Sequence, residues 1–142
     1  MYKYFFNKKF HPKVDFIKDR KKNFFYSVFH HSKNKFYRCS LGKKNPNKIF
    51  FIIKRSPGGG FFSNFIYVIK YVNYALKKKY TPIVDMANFP TNYNQNKNLY
   101  NIKNIWDLYF DSISKYKLKD VYESKNVIFS KDKLNVHLKD YN

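Results

Sequence analysis

Acidic side chains are scarce in this sequence: 9 Asp and Glu stand against 29 Lys and Arg, a formal net charge of +20 on 142 residues. Arginine is scarcer still, since only Arg20, Arg38 and Arg55 are arginine and the other 26 cations are lysine. Recognition of nucleic acid draws on arginine for bidentate phosphate and base contacts, so its shortage argues against a specific nucleic-acid partner. Lys, Asn, Phe, Tyr and Ile are the residues of A/T-rich codons, and coding bias accounts for part of the charge as solvated lysine. The single cysteine, Cys39, cannot close an intrachain disulfide or build a zinc site. That excludes a disulfide scaffold and suits a reducing compartment. No apolar run reaches the length of about 18 residues that a membrane-crossing helix needs. The opening MYKYFFNKKF lacks the apolar stretch and the cleavage site of a secretory signal, so a cytoplasmic location is expected.

What is present is unusually aromatic. A hydrophobic fraction of 44% and an aromatic fraction of 22% argue against wholesale disorder. The length suits one domain with an arm. Charge divides the chain: residues 1–54 carry 15 basic and 2 acidic side chains, and residues 55–142 carry 14 and 7. Residues 1–45 mix Lys, Phe and Tyr without a sustained period and read as a basic, aromatic-rich arm. Such an arm suits peripheral contact with the anionic inner face of a membrane, although it lacks a clean amphipathic face. The turn residues of LGKKNPNK separate it from a domain over 46–142.

That domain opens on Ile49-Phe50-Phe51-Ile52-Ile53, an uninterrupted apolar run of the kind found in parallel strands buried on both faces. Arg55-Ser56-Pro57-Gly58-Gly59-Gly60 ends it. Apolar residues at three- and four-residue spacing then predict an amphipathic helix over 61–79, with Phe65, Ile69, Val72 and Leu76 facing the sheet. Lysines 77 to 79 suit its C-terminal dipole end, and Pro82 stops it. Pro82-Ile83-Val84-Asp85-Met86 predicts a second buried strand, which completes a strand–loop–helix–strand crossover. Beyond an Asn-rich loop, Ile102, Ile105, Trp106 and Tyr109 mark a short helix whose stripe reads as core. A second short helical stretch lies at 118–122 and a third strand at 126–130. The fold class is therefore α/β with a Rossmann-like parallel sheet.

The glycine loop is the one constellation that suggests chemistry. Glycines between a buried strand and a helix expose backbone N–H groups at the helix N-terminus, where an anion is favoured. They also serve simply to turn the chain. As a dinucleotide fingerprint, Gly58-x-Gly60-x-x-Ser63 departs from G-x-G-x-x-G at its last position, with Asp85 near the place of a ribose-binding acid. A Walker loop is excluded because no Gly-Lys-Ser/Thr follows. His11, His30, His31 and His137 show no metal-ligand spacing with Cys39 or with any acidic pair.

Gly59-Gly60-Phe61-Phe62-Ser63-Asn64-Phe65, the strand Pro82 to Asp85, and the later TPIVDMANFP and NIWDLYF together resemble fucosyltransferases, in particular a bacterial branch acting in surface-glycan synthesis. The resemblance covers about residues 42–130. It implies the N-terminal half of a two-domain GT-B fold and inverting transfer from a GDP-sugar to a glycan hydroxyl, without metal or other cofactor. Gly58, Gly59, Gly60, Asn64 and Arg55 would bind substrate or donor, and Asp85 would orient or deprotonate the acceptor. Ser63 departs from the glycine that the family often has there, and an extra residue separates the glycines from Asn64. The arginine-bearing H-x-R-type motif of the family's donor-binding second domain has no counterpart: His137-Leu138-Lys139-Asp140 lacks the arginine. A truncated or split form with the acceptor-side half is the resulting expectation. The rival readings are a dinucleotide-binding oxidoreductase fragment and a non-catalytic basic binding module.

Overall fold

The computed structural model describes residues 24, 28, 31, 32, 35–54, 60–89, 91 and 104–131. Its elements in chain order are β1 (Tyr37–Cys39), β2 (Phe50–Ile53), α1 (Phe61–Lys77), β3 (Thr81–Val84), α2 (Trp106–Tyr109), α3 (Leu118–Val121) and β4 (Val127–Phe129). The four strands form one sheet in the order β1-β4-β2-β3. β2 lies parallel to both neighbours, and β1 joins β4 antiparallel at the edge. The architecture is α/β with a mixed, mostly parallel sheet.

The apolar run of β2 exists because both of its faces are covered. Phe51 and Ile53 project into one core with Val84, Ile128 and the inner face of α1. Phe50 and Ile52 project into a second core with Ile83, Val127, Phe129 and Val121 of α3. This is the period of two of a pleated strand, with neither set left to water. Pro82 is tolerated because β3 is the edge strand. Thr81 and Asp85 donate their N–H groups to Ile49 and Ile53 of the β2 side, so by alternation the Pro82 nitrogen faces outward, where no donor is needed.

α1 begins after Gly60 and ends in a Schellman arrangement. Tyr80 N–H donates to the Ala75 carbonyl and Lys79 N–H to Leu76, with Lys79 at φ 60°. The face it buries differs from the expected one. Asn64, Tyr67, Val68, Tyr71, Tyr74 and Ala75 are buried, whereas Ile69 and Leu76 are exposed and Phe65 and Val72 only half-buried. Both faces of this helix are apolar, so periodicity alone did not choose between them. The tyrosines win because their rings meet an aromatic wall: Phe51 lies 5.7 Å from Tyr71 and 5.5 Å from Tyr74, and Phe36 lies 5.0 Å from Tyr74. Ring pairs at such separations add to the area buried.

A second difference concerns residues 36–45, which fall within the expected arm. Tyr37–Cys39 is a strand of the sheet, and the turn after it runs beside the segment that enters β4. Leu41 and Gly42 N–H both donate to Ser124, Lys44 N–H to Glu123, and Lys125 N–H back to Lys44. Asn45 and Asn126 side chains add bonds to Ser124 and Pro46, and Lys44 pairs with Glu123. A three-residue strand is too short to show a period, which is why composition alone suggested a boundary here. Most of residues 1–35 lies outside the described residues.

Gly42 is where two backbone segments touch. A Cβ on it would come within 2.1 Å of the Glu123 carbonyl oxygen, a backbone atom that cannot swing aside. Gly42→Ala is therefore expected to lower stability by about 1–3 kcal/mol through forced separation of the two segments. Urea denaturation of the variant checks this, and an unchanged midpoint would contradict the close approach.

Candidate functional site

Chains leaving the C-terminal ends of parallel strands make the crevices in which α/β sheets hold ligands. Here Asn64, in the first turn of α1, and Met86, just past β3, both line a small cleft that is partly open to solvent. Phe61 and Phe65 continue the α1 wall, and Thr91, Trp106, Tyr109 and Phe110 close the others. The rings are interlocked: Phe110 stacks 4.2 Å from Trp106, 5.2 Å from Phe65 and 5.8 Å from Phe61, and Tyr109 meets Phe61 edge-on at 5.2 Å. Among the described residues no cation or carboxylate lines the cleft. Its lining residues with polar side-chain groups are Asn64, Thr91, Trp106 and Tyr109.

Trp106 is buried, and its indole Nε1–H has no hydrogen-bond partner among the described residues. An unmade bond of this kind costs roughly 1–3 kcal/mol, so the indole is a donor held ready in an apolar surround. Trp106 belongs to the core cluster, as its stripe suggested, and it lines the cleft as well. It is held there by Asn104, which the sequence did not single out. The buried Asn104 amide donates to the Val84 carbonyl at 2.8 Å and accepts from Met86 N–H at 3.1 Å. It thereby supplies the edge strand β3 with the two bonds that a further strand would have given, and locks α2 against it.

The glycine loop is represented by Gly60 alone, because Arg55, Gly58 and Gly59 lie outside the described residues. Gly60 is the N-cap of α1 at φ −73° and ψ 175°, extended backbone that any residue adopts. A Cβ there would meet nothing within 4 Å. Gly60 accepts the backbone bond of Asn64 at 3.1 Å, so the two sit on one turn as the motif places them.

Asp85 stands apart from that pair. Its neighbour Met86 belongs to the α1-side core, while Asp85 bonds Tyr122, which packs against the opposite one. The carboxylate is buried and accepts four hydrogen bonds: from Ala87 N–H at 3.1 Å, Asn88 N–H at 2.9 Å, Asn88 Nδ2 at 2.9 Å and Tyr122 Oη at 2.6 Å. This is an Asx turn tied to the end of α3. Burial pushes the Asp85 carboxyl above its ordinary value, and the bonds from Asn88, Tyr122 and Ala87 pull it part of the way back. Burial and the adjacent carboxylate hold the Tyr122 phenol well above its own usual value, so it stays a donor.

The strand order reverses between β2 and β4, since β3 lies on one side of β2 and β4 on the other. That switch point is sealed. Ser130 Oγ accepts from Lys54 N–H at 3.0 Å and donates to the Lys54 carbonyl at 3.2 Å. Tyr67 Oη lies 3.3 Å from Ser130 Oγ and donates to the Lys131 carbonyl. The Lys54 side chain is buried with its ammonium 5.6 Å above the Phe89 ring, a cation–π arrangement. Cys39 is half-buried, and loss of solvation pushes its thiol up to about 11, so it is held as the unreactive thiol. Among the described residues no group of three or more His, Cys, Asp or Glu is placed to hold a metal ion, and no helix is long and apolar enough to cross a membrane.

No protein-family model matches this chain, and no match was found among curated proteins or solved structures.

The Asp85–Tyr122 bond has a defined pH signature. The unfolded carboxyl loses its proton at lower pH than the folded one. The stability contributed by Asp85 therefore falls as pH rises from the usual carboxylate range through its raised folded value. Tyr122→Phe removes a donor from the charged form and raises that value further. Its cost should be about 1.5–3 kcal/mol near pH 7 and should shrink towards pH 4, as the folded carboxyl takes up its proton ahead of the unfolded one. Urea denaturation at the two pH values measures this; a loss independent of pH would contradict it.

Proposed function

We propose that this chain is a glycosyltransferase-related α/β domain that uses the α1–α2 cleft to hold a sugar of its glycan acceptor. The observation that carries the reading is the cleft's chemistry: stacked aromatic rings stand beside the Asn64 amide and the Thr91 and Tyr109 hydroxyls, and the buried indole N–H of Trp106 in its wall has no hydrogen-bond partner among the described residues. Sugar rings present apolar C–H faces to aromatic rings and hydroxyls to such polar groups. A diphosphate would need cations or a ring of N–H donors, and the described lining holds neither Lys nor Arg. The cleft therefore suits the uncharged acceptor better than the nucleotide end of a donor.

The resemblance to fucosyltransferases fits this division and supplies the wider reading. The domain is taken as a Rossmann-like, acceptor-side half of a GT-B enzyme in surface-glycan synthesis. A GDP-sugar would be the donor, bound by the loop residues Arg55, Gly58, Gly59 and Gly60 together with a second lobe. Inverting transfer needs a base on the acceptor hydroxyl. Asp85 is a poor candidate, because its carboxylate is buried under four donors. The same engagement weighs against Asp85 as a ribose ligand, and so against the dinucleotide reading. A cytoplasmic site of action belongs to the same reading, and a single cysteine is compatible with it.

Trp106 is the only tryptophan, so its fluorescence reports on the cleft directly. Titration with fucose- or galactose-bearing oligosaccharides should shift its emission saturably, with an affinity near millimolar. Asn64→Ala should weaken that binding about 2- to 10-fold, the worth of one hydrogen bond. NAD should have no effect. A response to NAD and none to any glycan would overturn the proposal.

A further inference from the structure

We propose that the outward face of α1 docks on an anionic membrane surface. The helix is apolar on two sides, and only one is used by the core. On the other, Phe62, Ile66, Ile69 and Leu76 are 75%, 48%, 46% and 59% exposed. Their spacing of four, seven and fourteen positions from Phe62 places them in one line along the 17-residue helix. Large side chains left in water along one line, which the exposed Asn73 interrupts between Ile69 and Leu76, mark an interaction surface, because no folding energy is gained by keeping them there.

Charge selects the occupant. Lys70 and Lys77 each follow a stripe residue by one position and so share one flank, and Lys78 and Lys79 continue the helix end. The segment 61–79 contains no Asp or Glu, on a chain of net charge +20. A second copy laid on this face would bring Lys70 and Lys77 against their own counterparts. An anionic lipid surface meets the same lysines with opposite charge while the stripe enters the headgroup boundary. This is the pattern of a helix lying in the plane of an interface. This surface lies on α1, a different segment from the basic residues 1–45 that composition singled out. It ends at the cleft mouth, where the Phe62 ring lies 5.7 Å from that of Phe61.

The test is flotation of the full chain with vesicles of phosphatidylglycerol and phosphatidylcholine, beside vesicles of phosphatidylcholine alone. Wild type should bind the anionic vesicles only. The double variant Phe62→Ser with Ile69→Ser alters two exposed positions and no charge. It should bind at least about tenfold less well while melting at the same temperature. A second variant, Lys70→Glu with Lys77→Glu, should also lose binding. Binding of the serine variant equal to wild type would leave net charge as the whole cause and overturn the proposal. So would an absence of vesicle binding, or a dimer in sedimentation velocity that the serine variant dissolves.

Discussion

Burial of β2 on both faces is the constraint from which the rest of the structure follows. Four consecutive side chains, Phe50 to Ile53, are removed from water entirely. Each of them is worth about 1.5–3 kcal/mol when buried, but only if each face has its own cover. A strand in that position must also have both edges paired, and β3 and β4 supply the parallel neighbours. Parallel neighbours require long crossovers, and those crossovers carry α1 to one face and α3 to the other. The cleft is a by-product of this arrangement: chain leaving β2 and chain leaving β3 diverge at the same end of the sheet, and side chains from both line the gap.

Tyrosine and asparagine then take roles that aliphatic residues cannot. Tyr67 packs a ring against the core and extends its hydroxyl to the backbone at the end of β4, which fastens α1 across the switch point. Tyr122 does the same on the other face, packing near Phe129 at 6.2 Å and donating to Asp85. Asn104 completes the edge of β3. With polar functions met by these side chains at the end of the sheet, the Trp106 indole stands out as a buried donor left without a partner among the described residues.

Much of the fold was legible because its strongest signals are local. The unbroken run at 49–53, the helical spacing after Gly60 and the Pro82 strand all appear within a few residues of where they were read, as do the short helix at 118–121 and the strand at 127–129. The inner face of α1 was not legible, since a helix apolar on two sides has no single moment and the choice depends on Phe36 and Phe51, which are remote in sequence. β1 was not legible either: its pairing is with Val127–Phe129, about ninety residues away. Of the cleft, Asn64 could be read from a motif, whereas Thr91 carries no local pattern and joins it only through the fold, and the bonds by which Asn104 ties α2 to β3 could not be read from the NIWDLYF stretch it opens. Trp106 was readable as core, and its second part in the cleft wall rests on an indole nitrogen without a partner among the described residues, which no sequence pattern reports.

The indole N–H resonance of Trp106 in a two-dimensional NMR spectrum measures the central claim most directly, because a single tryptophan gives a single such signal. If the cleft holds an acceptor sugar, that resonance should move downfield and saturate as oligosaccharide is added, as expected when an unpaired donor gains an acceptor. Its exchange with solvent should slow in step. A resonance that stays in place while signals elsewhere on the protein shift would contradict the assignment of the cleft.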